Sequence, residues 1–441
     1  MKSDNPGGLS ADDSESGKIP QGSAGAMFNT AAVAWAINVG GDAHVAPEGV
    51  EFQADELARG TKGTIAEVKG AQDSEIYLSY RAGDLQLEKT LNSGTYDLTF
   101  YFVEPHGAVV GERVFDVVVQ DQLEIEALDV SRARNSTSPS ALVRTVSGVE
   151  VNDGELRVQL RGHQSTPVLS GLVVRARKPD TSRWRLVWSD EFDYEGAPDS
   201  EKWHLQEWPA RKVNNEDQAY TGRPRNIRVG DGKLTIEAHK EGYQGASYTS
   251  GRLHSHGKGD FLYGRVDIRA KLPAGQGTWS ALWMLPTNHY RYATNCSIGD
   301  EWQGNPDCDA WPNSGEIDIM EHVGYDMTRI HATVHNRRFF GGGPDQRNAS
   351  IEVADVADQY HLYSLLWSPE SIRVFVDGVV FYTYFKEGDW RDWPHDHPYH
   401  LIMNLAIGGD WGSAGGPIDE DIFPVSMEVD YVRVFEAVVT K

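Results

Sequence analysis

Three carboxylates are crowded into the segment Ser314-Gly-Glu-Ile-Asp-Ile-Met-Glu-His322. Apolar Ile317 and Ile319 alternate with Glu316 and Asp318, so these two acids point to the same face of a strand. Glu321 has the opposite parity. Strict alternation would carry it to the core side with the isoleucines, where an unpaired carboxylate is costly. One extra residue in a β-bulge near Met320 would bring Glu321 back beside the other acids, and bulges are common next to active sites. The spacing therefore predicts that bulge.

Three carboxyl groups on one face cannot all ionise cheaply, so at least one should hold its proton near neutral pH. Glycoside cleavage with retention requires that division. An ionised carboxylate attacks the anomeric carbon while a protonated one delivers its proton to the leaving oxygen. Here Glu316 is expected to be the nucleophile and Glu321 the acid/base. Asp318, between them, would orient the nucleophile and help pass charge. Esterifying Glu316 removes its charge, which lowers the pKa of Glu321 and lets it serve as base toward water. By spacing alone, a solvated acidic strand face and a divalent-cation site compete with this reading. No His-Glu-x-x-His, P-loop or dinucleotide glycine pattern supports metallohydrolase or nucleotide chemistry. The pair His395-Asp-His397, flanked by Pro394 and Pro398, is expected to be a surface feature.

The elements that must position these acids are strands. In Tyr96-Asp-Leu-Thr-Phe-Tyr-Phe102 the set Tyr96, Leu98, Phe100 and Phe102 has period two, as in a half-buried strand, and Leu156, Val158 and Leu160 repeat it. Val266, Ile268, Ala270 and Leu272 do the same further on, and Asp377-Gly378 joins two apolar runs as a type I′ hairpin turn would. No long helical period competes. The chain thus reads as all-β, with two β-sandwich domains at 26–178 and 184–441 joined by a polar, Pro-containing linker at 179–183. Residues 1–25 are too poor in large apolar groups to fold and lack the apolar run of a signal peptide, so a disordered leader is expected.

Composition narrows the partners. A net charge of −24 over 441 residues disfavours nucleic acid, whose binding depends on Lys and Arg meeting phosphates. Thirteen Trp and eighteen Tyr suit a neutral sugar substrate, because flat rings cover pyranose faces, although the same rings could fill sandwich cores. No apolar run is long enough to span a membrane. The two cysteines, Cys296 and Cys308, share one Gly/Asn/Asp/Pro-rich stretch. A disulfide between them would stabilise by roughly 3 kcal/mol and point to export, whereas two free thiols would fit a reducing compartment. Too few Cys are present for a structural zinc site.

The acidic segment resembles the signature of glycoside hydrolase family sixteen, the laminarinase and lichenase group, in its bulged form Glu-x-Asp-x-x-Glu. The resemblance runs from Trp184 to Glu436. It includes Trp188-Ser-Asp-Glu-Phe192, Asn214-Asn-Glu-Asp-Gln-Ala-Tyr220, Ser250-Gly-Arg-Leu253, Gly277-Thr-Trp-Ser-Ala-Leu-Trp-Met-Leu-Pro286, Trp311-Pro-Asn-Ser-Gly-Glu316, His331-Ala-Thr-Val-His335, Asn404-Leu-Ala-Ile-Gly-Gly409 and Asp430-Tyr-Val-Arg-Val434. It implies a β-jelly roll with a concave substrate cleft and an endo-acting β-1,3-glucanase working as a monomer outside the cytoplasm or at the cell surface. Hydrolases of mixed-linkage glucan or marine galactan, and a non-catalytic glucan sensor, are the alternatives. Asn226, Arg252, Trp279, Trp283, Trp311 and His335 match cleft-lining positions of the family, the rings stacking on glucose units and the polar groups binding hydroxyls. Catalysis needs no cofactor. A structural calcium on the convex face would match Glu191, Gly232 and Asp430.

The first domain resembles malectin-like domains in Ala36-Ile-Asn-Val-Gly-Gly41, Glu75-Ile-Tyr-Leu-Ser-Tyr-Arg81, Tyr101-Phe-Val-Glu104 and Arg113-Val-Phe-Asp-Val117. That makes it a candidate carbohydrate-binding module, with Tyr77 at one aromatic position. Pro105-His106-Gly107 replaces the family's Tyr-Phe pair, and Gln164-Ser165-Thr166 replaces its late acidic position. These departures leave a scaffold role open.

Overall fold

The structure is a computed structural model that describes residues 32–438 apart from 48, 72, 135, 137, 178–182, 299–302, 304, 306, 342–345 and 387. The expected leader and nearly all of the expected linker lie outside the described residues.

The period-two segments of the first unit become strands. Gly94–Val103 is central to a four-stranded sheet, pairing antiparallel with both Ala141–Val151 and Gly171–Ala176. Its predicted apolar set is buried, with Leu98, Phe100 and Phe102 fully so. The opposite face is not left to solvent as expected. Thr99 and Tyr101 are buried too, because Tyr101 packs edge-on against Phe52 and Tyr77 in a second apolar cluster. A second four-stranded sheet, containing Glu155–Gln164, closes the sandwich with Leu156, Val158 and Leu160 inward.

The second unit stacks a ten-stranded sheet on an eight-stranded one. Its first and last strands, Arg183–Asp190 and Val425–Val438, pair antiparallel, which ties the two ends of the unit together. Val266, Ile268, Ala270 and Leu272 face inward from one sheet and Ile317, Met284, Val334 and Met403 are buried in the other. The predicted hairpin forms with Asp377 at φ 50° and Gly378 at φ 82°, the two positive values a type I′ turn needs. Among the described residues, no helix is long and apolar enough to cross a membrane.

In the eight-stranded sheet the neighbours are, in order, His204–Leu205, Arg252–His254, Tyr399–Ile407, Thr278–Pro286, Glu316–Val323, Arg329–His335 and Asn348–Glu352. The last is an edge strand, and the first unit covers it. Arg134, in the short helix Val130–Arg134, donates to the carbonyls of Gln346 and Asn348 at 2.6 and 2.5 Å. Arg144 donates to Phe381 O at 2.9 Å and Ser350 O at 2.5 Å. Burial, together with Arg329 and Arg134 nearby, pulls the Arg144 guanidinium down to about 9. The edge carbonyls thus find donors in the first unit instead of remaining open to another chain. Tyr77, expected at a sugar site, is 2% exposed and belongs to the buried cluster beside this interface, so its ring is closed to a polysaccharide.

His395 and His397 are not a surface feature. Both are buried, and only Asp396 between them reaches solvent, where it accepts from Tyr292 Oη at 2.7 Å. The loop tucks beneath the turn that precedes Glu316. His397 Nε2 lies 3.3 Å and Tyr399 Oη 3.0 Å from Ser314 O, while His395 Nδ1 meets the same hydroxyl at 2.9 Å. Gly315, at φ 91°, fits because a Cβ there would lie 2.2 Å from that hydroxyl.

Burial of neutral imidazoles carries a pH consequence. His331 is depressed to about 3 and His322 and His397 to about 4, chiefly by loss of hydration. Unfolding restores an ordinary value near 6.5, so below that pH the unfolded chain binds more protons and stability falls until the folded values are reached. At pH 5 each such group should cost up to about 2 kcal/mol relative to pH 8. Calorimetric melting at pH 8, 6.5 and 5 should show a midpoint that drops mainly below 6.5; a flat profile would refute the neutral-histidine assignment.

Candidate active site

The predicted bulge is present. On one side of Glu316–Val323, Trp283 pairs with Asp318 but Leu282 pairs with Met320, leaving Ile319 unmatched. On the other side Asp318 pairs with Thr333 and Glu321 with His331. Ile319 and Met320 are both fully buried in consequence, and Glu321 turns out toward the face of Glu316 and Asp318.

Each acid is held by a neighbour. Trp311 Nε1 donates to Glu316 Oε2 at 2.9 Å, and Trp279 Nε1 donates to Glu321 Oε1 at 3.2 Å. His335 Nε2 stands 3.2 Å from Asp318 Oδ2 and 3.7 Å from Glu316 Oε1. Burial pushes all three carboxyl groups above their ordinary range. Glu316 is raised further by Asp318, with which it hydrogen-bonds, and Asp318 by the charge of Glu321. His335 opposes the rise at Glu316 and Glu321, and the Trp279 indole opposes it at Glu321. The cluster therefore keeps protons that isolated carboxyls would have lost, as acid/base work near neutrality requires.

The aromatic positions combine ring surface with hydrogen bonding. The indole N–H groups of Trp279 and Trp311 are directed at the acids, and Trp283 Nε1 donates to Asn404 Oδ1 at 2.7 Å. Arg252 is buried between Trp208 and Trp283, its guanidinium 4.6 and 4.9 Å from their ring centres. Asn226 does not line the cleft as expected. It is fully buried, with its Nδ2 donating to Glu237 O and Thr249 Oγ1 and its Oδ1 accepting from Thr221 and Arg223. A saturated amide has nothing to offer a hydroxyl; it braces its own loop against two strands instead.

Two further residues belong to the site. Trp411 packs edge-on against Trp279 and His331, with ring centres 5.7 and 5.0 Å apart, and donates to Tyr325 Oη at 2.7 Å. Trp208 supplies the second ring for Arg252. Trp411 follows the Gly408-Gly409 turn and is traceable in sequence as the next aromatic after the Asn404–Gly409 motif; Trp208 lies outside any periodic stretch.

Cys296 and Cys308 form a disulfide. Beside it, Asp309 accepts from the backbone N–H groups of Thr294 and Asn295 and from Asn313 Nδ2, fixing the short helix Ala310–Asn313 that carries Trp311. The cross-linked loop therefore sets the position of the indole on Glu316.

The family resemblance leads to the expectation of a structural calcium at Glu191, Gly232 and Asp430. Glu191 forks onto Arg433 at 3.0 and 2.7 Å, Asp430 accepts from Arg269 at 2.6 Å, and Gly232 sits on a hairpin turn. The side-chain carboxylates of Glu191 and Asp430 are thus each paired with a guanidinium group. The one group of His and acid donors gathered within 4.8 Å among the described residues is Glu316, Asp318 and His335.

Paired acids on a bulged strand, walled by indoles on one face of a β-sandwich, define a carbohydrate-cleaving site of the two-carboxylate class. Known proteins agree with that class. Residues 214–433 match "Glycosyl hydrolases family 16" and residues 33–172 match "Malectin domain". The Beta-glucanase of Rhodothermus marinus is 45% identical over 266 residues, which are 59% of this chain and 87% of that protein. The solved laminarinase of the same organism superimposes with a TM-score of 0.53 at 44% identity, covering 59% of this chain and all of that one. The structure of SCLam, a non-specific endo-β-1,3(4)-glucanase, gives 0.51 at 39% identity, covering 59% and 95%. The chain belongs to glycoside hydrolase family 16.

Proposed function

We infer that the protein hydrolyses β-1,3-glucan at internal bonds with retention of anomeric configuration, and the bulge that brings Glu321 onto the face of Glu316 carries the reading. The ionised Glu316 attacks the anomeric carbon as the glycosidic oxygen leaves with the proton of Glu321, forming a glycosyl ester. Water then gives its proton to Glu321 while its oxygen attacks the same carbon and frees Glu316. Asp318 holds Glu316 through their shared hydrogen bond, and Trp311 donates to the negative charge that Glu316 regains on release. The similarity to a laminarinase supports the β-1,3 linkage. A mixed-linkage β-1,3-1,4-glucan is the second reading, favoured by the SCLam likeness. The enzyme acts as a single chain outside the cytoplasm, a reading that the disulfide supports.

The test is incubation with laminarin, lichenan, agarose and carrageenan while NMR follows new reducing ends. β-Anomers should appear first, from laminarin above all. Initial α-anomers would sink the double displacement, and inert laminarin would sink the substrate.

A further inference from the structure

On the same sheet as the three acids, with His400 opposite Leu285 in the strand that pairs with Glu316–Val323, histidines meet that the reaction does not use. His254 ends the strand Arg252–His254, His400 lies in Tyr399–Ile407, and His256 and His289 come from the loops that follow the two strands flanking Tyr399–Ile407. Ring centres of His256, His289 and His400 form a nearly equilateral triangle with sides of 5.5, 4.8 and 5.6 Å. His254 lies 5.7 Å from His400 and 6.4 Å from His256. Three imidazoles bound tetrahedrally at a metal–nitrogen distance of about 2 Å place their ring centres roughly 5 Å apart, so the triangle has the size of a loaded site.

A second observation points to a ligand. His400 is 3% exposed, yet its Nδ1 has no hydrogen-bond partner, and Nδ1 of His254 is likewise buried and unpartnered. His256 Nε2 lies 2.9 Å from Thr287 O, an outer contact that fixes its tautomer and turns Nδ1 into the acceptor. In the present rotamers the ring nitrogens do not converge on one point, but a half-turn about Cβ–Cγ exchanges Nδ1 with Cδ2, so what occupies the centre decides which edge faces it.

We propose that His256, His289 and His400, with His254 as a fourth donor, form a binding site for one late first-row divalent cation, Zn²⁺, Cu²⁺ or Ni²⁺, separate from the catalytic acids. Nitrogen-only donors select these ions over Ca²⁺ and Mg²⁺. The site would tie two loops to the strands that carry Arg252 and Asn404.

Chelator-treated full-length protein should take up one Zn²⁺ per chain by calorimetry at pH 7.5. His289→Gln should weaken that binding at least tenfold, and the double variant His256→Gln/His289→Gln should abolish it. Asp318→Asn should leave it intact. Copper(II) EPR of the unsubstituted chain needs no variant, and hyperfine structure from three or more imidazole nitrogens is expected. Failure to bind Zn²⁺, an oxygen-dominated copper spectrum, binding unchanged in the double variant, or loss of binding in Asp318→Asn would each overturn the site.

Discussion

Glu316→Gln is expected to cut kcat on laminarin by roughly 10³–10⁵-fold while leaving affinity for the polysaccharide within a few-fold, since it removes the attacking electron pair but little else. The amide is nearly isosteric with the carboxylate, and its oxygen can still accept from Trp311 Nε1. Stability should not suffer. Burial and the neighbouring Asp318 already penalise charge at this position, so a neutral side chain relieves repulsion and the melting midpoint should hold or rise. Kinetics, laminarin binding by calorimetry and thermal melting separate the outcomes. A fall in midpoint together with activity would indicate a structural role. In Glu316→Ala the vacated space should admit azide, which attacks the anomeric carbon of an activated aryl glycoside from the nucleophile's side and yields the α-glycosyl azide. Retained turnover of laminarin would remove Glu316 from the role.

Glu321→Gln should behave differently according to the leaving group. On laminarin the departing sugar oxygen needs a proton, so loss of the acid should cost roughly 10²–10⁴-fold. On a dinitrophenyl β-glycoside it needs none. The first step should then survive and the ester accumulate, giving a burst of dinitrophenolate, and azide added to Glu321→Ala should release the β-glycosyl azide. The pH profile provides an independent check. Burial raises the pKa of Glu321, with His335 and Trp279 opposing, and above that pKa the proton donor is lost, so wild-type kcat/KM should decline on the basic side. Glu321→Gln should lack that basic limb. A basic limb unchanged in the variant would mean that another group gives the proton.

The acidic segment is legible in the sequence because two regularities conflict within it. Period two places Glu316 and Asp318 together and strands Glu321 with the isoleucines, and only a bulge can resolve that. Ile319 unmatched opposite Leu282 and Trp283 is the resolution. Hairpin and core positions are legible for similar local reasons, as at Asp377-Gly378 and in Val266 to Leu272.

Residues whose roles depend on distant partners are not legible in the same way. Asn226 has the look of a cleft amide, but Thr221, Arg223, Glu237 and Thr249 together exhaust its hydrogen bonds. Proline flanks make His395 and His397 look superficial, whereas the chain folds them under Ser314. In the sequence Glu191 stands far from Arg433 and Asp430 far from Arg269, yet each carboxylate pairs with that guanidinium group. Tyr77 is withdrawn from solvent by Tyr101 and the packing around it.

Sequence by itself determined the strands, the two sandwiches, the three acids and the need for a bulge, because side-chain alternation and turn chemistry act over a few residues. Tertiary structure alone decided which indole meets which acid, how the first unit seals the edge of the catalytic sheet, and where four histidines from separate strands and loops converge. Those are contacts between residues far apart in the chain, set by how the sheets pack and which hydrogen bonds burial forces closed, and no local pattern records them.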